Sequence, residues 1–176
     1  MRVRDLSGKQ QRCHQVFKIS SYTEQKDINP TRANGTCRWA LKSSEYMRWL
    51  NSESNDLLWI SADPGCGKSV LARSIIDGYL DGSTSDSAVS ICYFFFKDND
   101  EQNRLDKALC SVLHQFFSQR PDLICHAMPS WERHGESLRQ EFDELWRIFL
   151  AATSCEGESS KTICVFDALE IGRAHV

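Results

Sequence analysis

The sequence predicts an α/β fold: a mostly parallel sheet between helical layers, three layers in all, with short helices ahead of it. Three observations carry that prediction. Short, nearly continuous apolar runs at residues 57–60, 89–96 and 162–166 read as strands buried on both faces. Helical stretches separate them, and crossovers of that length join parallel strands. A loop holding Pro64, Gly65 and Gly67 stands between the first strand and the helix that follows it.

Length and composition set the bounds. The 176 residues suit one domain of ordinary size, with 41% hydrophobic and 26% charged residues. A net charge of −3 argues against a broad nucleic-acid-binding surface. No apolar run reaches the roughly 18 residues that span a bilayer, and the N-terminus lacks the apolar core of a secretory signal. The eight cysteines form no C-x-x-C pair, and several fall inside apolar patterns. They read as reduced thiols of a cytoplasmic protein, behaving as small hydrophobes. Cys110 and His114 share a helical face, too few residues for a metal site.

Taken in order, residues 1–34 are polar and weakly patterned, a linker or the end of an upstream region. Residues 13–19 suit a short helix or strand. Gly35-Thr36 reads as a break and a helix cap. Trp39, Leu41, Tyr46, Met47, Trp49 and Leu50 then supply core apolar residues on two short helices, interrupted at Ser43-Ser44. Residues 51–56 form a solvated turn before the first strand. Past the glycine loop, Val70, Leu71, Ile75 and Tyr79 recur at helical spacing to about residue 79. Residues 81–87 are a loop, 89–96 the second strand, and 97–103 a solvated charged loop. Leu105, Leu109, Val112, Leu113 and Phe116 mark the cleanest amphipathic helix, which must stop before Pro121. Ser137 and Gln140 fit a capping box for a helix with Leu138, Phe142, Leu145 and Phe149 on one face. Residues 154–160 are a polar loop, and 162–166 a third strand ending in Asp167. His14, His114, His126 and His134 read as surface or packing residues.

The chemistry concentrates at Gly65-Cys66-Gly67-Lys68-Ser69. A triphosphate is a dense anion cluster, bound by inward-facing backbone N–H groups, positive charge and a cation. Gly65 and Gly67 let a loop wrap with its amides toward phosphates, and the helix beginning near Lys68 adds its N-terminal dipole. Lys68 is placed to reach the β- and γ-phosphates, and the Ser69 hydroxyl to ligate Mg²⁺. Pro64, Cys66 and Val70 complete the cradle. Ala62 stands where the full G-x-x-x-x-G-K-[ST] pattern begins with glycine, a substitution that works if its φ is negative. Asp167, at a strand end, supplies the carboxylate that holds Mg²⁺ through its water shell. Cys66 is either a loop spacer or, among amides beside Lys68, a stabilised thiolate.

These stretches, with the segments 35–41, 57–75, 92–117, 142–146 and 162–169, resemble the NACHT-type nucleotide-binding domain of fungal NOD-like receptor proteins, also described as the nephrocystin-like N-terminal domain. The resemblance runs from about Cys13 to Leu169, and the domain it implies is bounded at residues 35–170. It implies a P-loop NTPase sandwich that acts as a switch in a multidomain signalling protein. Such domains bind ATP or GTP with Mg²⁺, couple nucleotide state to self-association and effector signalling, and serve innate-immune sensing or heterokaryon incompatibility. A small P-loop phosphotransferase and a nucleotide-binding scaffold without hydrolysis are the alternatives.

The resemblance also implies a departure. The family continues after Leu169 with two acids, the second activating water. Here Glu170 stands for the first and Ile171 for the second. Residues 171–176 resemble a translated sequencing adapter and read as a non-native tail, with the gene cut inside this motif. The sheet is then expected to lack its later strands, and the chain to be marginally stable and to hydrolyse little nucleotide, with Asp167 and Glu170 as its remaining catalytic candidates.

Overall fold

Two helices fold from the polar N-terminal stretch. The computed structural model describes residues 6–80, 89–100, 102–155 and 160–169. Helix α1 (Gly8–Val16) starts with a capping box between Ser7 and Gln10, and α2 (Tyr22–Asp27) follows after a short turn. Cys13, Val16 and Phe17 are at most 2% exposed, on a helix whose other residues are mostly polar. Helix is thus the outcome for the 13–19 stretch, and it is anchored in the main core.

Helices α3 (Arg38–Leu41) and α4 (Ser44–Leu50) are the expected short pair. Ser43 caps α4 by accepting from the Tyr46 N–H. The cap of α3 falls on Cys37, at φ 62°, rather than on Thr36, whose hydroxyl turns back to Ala33 O. Tyr46 is buried, but Trp39 and Met47 point outward, so these apolar residues are core only in part.

Helix α5 (Lys68–Leu80) follows the glycine loop and buries Leu71, Ile75 and Ile76. Strands β1 (Val89–Phe95) and β2 (Lys161–Asp167) pair in parallel, from Val89 opposite Lys161 to Phe95 opposite Asp167. Between them lie α6 (Leu105–Gln119), α7 (Met128–His134) and α8 (Phe142–Ser154), with 3-10 turns at Pro121–His126 and Gly135–Gln140. The result is a mixed α/β fold with a two-stranded parallel sheet among the described residues. Cys92 joins the largest core cluster with α1, α6 and α8, while Tyr93 and Phe95 pack with Ile76 of α5 and Tyr22 of α2. Strand β1 is therefore covered on both sides, as its apolar run requires.

Among the described residues the outer edge of β1 has no neighbouring strand and is closed by glutamines instead. Gln115 Oε1 accepts from Tyr93 N–H at 3.1 Å, and its Nε2 donates to Tyr93 O at 2.8 Å. Gln119, one helical turn on, makes the same pair with Ile91, at 3.0 and 2.8 Å. The i, i+4 spacing on α6 thus matches the i, i+2 spacing of edge-facing groups on β1. Gln102 Nε2 donates to Phe95 O at 2.6 Å. The 97–103 loop is accordingly more than solvated, since Gln102 and Asn103 are buried.

Three expectations are corrected. Residues 57–60 form no strand: among the described residues none pairs its backbone, and Leu57 and Trp59 are 84% and 61% exposed. Only Leu58 turns inward, onto the cluster of Tyr46, Leu71 and Ile75. A strand exists by pairing, and β2, half-exposed along most of its length, has not acquired this neighbour. The Ser137–Gln140 capping box is absent, because Ser137 Oγ donates to His134 O inside a 3-10 turn. That turn shifts the phase of α8, whose buried face is Leu145, Ile148 and Ala152, while Phe142 is exposed. The loop at 81–87 and the tail at 171–176 lie outside the described residues.

All eight cysteines are unbridged. Burial pushes the Cys13 and Cys110 thiols up to about 12, so they are inert packing groups. Cys110 Sγ contacts Arg139 O, whereas His114 Nδ1 meets Tyr22 OH, so the two do not converge. No group of ligands fit for a metal occurs among the described residues. No helix there is long and apolar enough to cross a membrane.

His114 stacks on His14, with ring centroids 4.2 Å apart and planes 3° from parallel. Burial, with the His14 and Lys18 charges added, lowers the His114 pKa to about 4 from 6.5. The unfolded chain then binds the extra proton between pH 6.5 and 4, so stability falls as pH drops through that window. The expected loss is on the order of 2 kcal/mol by pH 4.5. Denaturant midpoints measured against pH should show this slope in the wild type and a flatter one in His114→Gln. Glu144, held down to about 2 by Arg147 and Ser130, acts below the window.

Candidate functional site

The glycine loop runs into the first turn of α5, and its backbone is set by two glycines. Gly65 and Gly67 both sit at φ 82°, where side chains are strained and glycine is not. Nothing lies within 4 Å of where a Cβ would project at either position. Ala62 is not among the residues with positive φ, so the missing first glycine is not required by the backbone. Among the described residues, the N–H groups of Gly65, Gly67, Lys68 and Ser69 find no acceptor. Donors at a helix start, left unpaired and joined by the helix dipole, form an anion-binding surface.

The side chains of the first turn are already engaged. Lys68 Nζ donates to Ala62 O at 2.7 Å and to Asp63 O at 3.3 Å, folding back over its own loop. Ser69 Oγ donates to Asp167 Oδ2 at 2.6 Å. This bond joins residues 98 apart in sequence, brought together because α5 packs on β2. Asp167 closes β2, and its carbonyl accepts from Phe96 N–H at 3.0 Å. The next residue, Ala168, has φ 55°, a left-handed turn that costs alanine about 1–2 kcal/mol. It packs by Phe94 and Phe96, which hold the turn in place.

The residues singled out in sequence fall as follows. Pro64, Gly65 and Cys66 are exposed, while Gly67, Lys68, Ser69, Val70 and Asp167 are half-buried. Lys68, Ser69 and Asp167 converge at the head of α5. Val70 is half-buried and its side chain carries no polar group. Glu170 lies outside the described residues. The carbonyls of Ala62 and Asp63, which hold Lys68, gave no signal in the sequence, since any residue carries them.

This arrangement can hold a multiply charged anion on amides and an ammonium. It can also hold a cation between a hydroxyl and a carboxylate. Residues 35–170 match the family model described as Nephrocystin 3, N-terminal. The chain is 28% identical over 142 residues, 78% of its length, to the vegetative incompatibility protein HET-E-1 of Podospora anserina. It spans only 10% of that relative. No solved structure matches it significantly.

Proposed function

Because the chain belongs to the nephrocystin 3 N-terminal family, we propose that it binds a nucleoside triphosphate, ATP by preference over GTP, with Mg²⁺. It would act as part of a NACHT-type switch in a longer cytoplasmic signalling protein. The observation that carries this reading is the 2.6 Å bond between Ser69 and Asp167. Two residues, one from a glycine motif and one from a strand end, meet at the site where the chemistry needs both.

The residues present fit the ligand. The unpaired N–H groups of Gly65, Gly67, Lys68 and Ser69 would take phosphate oxygens. Lys68 would exchange two carbonyls for phosphate, a stronger charge-assisted contact. Mg²⁺ would neutralise phosphate charge there. Ser69 would give up its bond to Asp167 to join the cation, with Asp167 holding the cation's water. The finer fold, a P-loop three-layer sandwich, belongs to the same reading, and Leu58 and Val165 share one hydrophobic cluster. Self-association and effector signalling, as in a heterokaryon-incompatibility switch, would follow from order around the γ-phosphate.

Calorimetric titration of the 176-residue chain with ATP tests the reading. Saturable binding in Mg²⁺ is expected, weakened about tenfold by Asp167→Asn, a loss of one charge-assisted contact. The same variant should bind ATP in EDTA much as wild type does. No saturable binding, or no difference between Asp167→Asn and wild type in Mg²⁺, would sink it.

A further inference from the structure

The family match starts at residue 35 and says nothing of the segment ahead of it. That segment is nonetheless fastened to the helix that carries Lys68 and Ser69. Lys26 of α2 bonds to Asp77 of α5, and lies 3.0 Å from Asp27. Arg73 of α5 reaches Asp27 Oδ1 at 3.1 Å and Asp77 Oδ2 at 3.2 Å, and donates to the carbonyls of Asp27 and Asn29. Two cations and two carboxylates alternate across the joint. The Lys26 side chain is 8% exposed and that of Arg73 14%, while Asp77 and Asp27 keep 30% and 48%, so solvent screens the carboxylates more than the cations. Removing one partner would strand a buried charge. Burial opposes the Lys26 ammonium, yet hydrogen bonds to Asp77 and Asp27 outweigh it and raise its pKa.

The same segment holds α6 through Ser20 and Ser111, 2.8 Å apart, and through Tyr22 and His114. One feature works against docking. Gln25, 6% exposed, buries an Oε1 with no hydrogen-bond partner among the described residues. Such an orphan acceptor has lost its water without replacement and destabilises the docked state. The docked state is held by an ionic ring and taxed by an amide, which leaves it poised rather than locked.

We propose that residues 20–29 are a latch on the phosphate-loop helix, and that docking of α2 on Arg73 and Asp77 is linked to nucleotide binding at Lys68 and Ser69. The inference rests on the nucleotide reading above. Arg73 and Asp77 lie one to three turns along α5 from the loop, within one rigid element. The docked latch fixes α5, so the phosphate loop is held in its binding arrangement. By linkage, bound nucleotide tightens the latch by the same factor.

The test pairs nucleotide affinity with backbone hydrogen exchange in the full chain. Mg-ATP is expected to slow exchange in residues 22–29, which touch no phosphate. Asp77→Asn, or Lys26→Met where that variant is better folded, should speed this exchange and raise the ATP dissociation constant about five- to tenfold. Gln25→Met, which removes the orphan acceptor, should do the reverse. Faster exchange at 22–29 in Asp77→Asn with an ATP affinity within twofold of wild type would overturn the latch alone. A wild-type chain that binds no ATP would overturn the nucleotide reading, and the latch with it.

Discussion

Replacing Lys68 by alanine is expected to raise the dissociation constant for Mg-ATP by about 10- to 100-fold, the equivalent of losing one charged hydrogen bond. Stability of the free chain should stay within about 0.5 kcal/mol. The two halves of this prediction have one cause. In the free chain Lys68 Nζ rests on the carbonyls of Ala62 and Asp63, in a stretch that is exposed throughout. Water replaces the ammonium there at little cost. Nothing nearby replaces it against phosphate. Titration of wild type and variant, with urea unfolding of both, checks each half. An unchanged affinity would remove Lys68 from the site, and a large loss of stability would make it a structural residue.

Phe17→Ala is expected to cost about 3–5 kcal/mol of unfolding free energy, the range for truncating a fully buried aromatic. Phe17 is 0% exposed, and its ring sits 5.7 Å from that of Phe117. Trp59→Ala, at a larger residue, should change stability by no more than about 0.5 kcal/mol, because Trp59 is 61% exposed. Urea midpoints of the two variants rank the N-terminal stretch against the unpaired run at 57–60. A cost below 1 kcal/mol for Phe17→Ala would mean that α1 does not belong to the core.

The contrast between those two residues marks what sequence could convey. Helix α6 was legible because five apolar residues repeat on one stripe, although its burial extends past the stripe to Asp106, Ser111, His114 and Gln115. Strands β1 and β2 were legible from continuous apolar runs. The run at 57–60 has the same composition and forms no strand, since composition reports a wish for burial and not the presence of a partner. Helix α1 fails in the other direction. Two buried residues on a polar helix, with Phe17 at its C-cap, give a stripe too thin to see. In α8 two overlapping stripes were on offer, and the 3-10 turn ahead of it chose the one through Ile148.

The site divides in the same way. Lys68 and Ser69 were found because glycine spacing is a chemical statement in itself, and Asp167 because a strand-end acid gains meaning once a phosphate loop precedes it. The backbone carbonyls that hold Lys68 have no signature. Neither has the amide pair of Gln115 and Gln119, which resembles any other polar positions on a solvated helix face.

That pair sets an order in which the sheet can be assembled. Gln115 and Tyr93 are 22 residues apart, and Gln119 and Ile91 are 28. The β1–β2 ladder joins Val89 to Lys161, a loop roughly three times longer. Closing the longer loop costs about 1 kcal/mol more in chain entropy. Strand β1 and helix α6 can therefore collapse as one local unit, with one edge of β1 already satisfied by side chains. Strand β2 then arrives at a template with a single open edge, and it has only one side on which to dock.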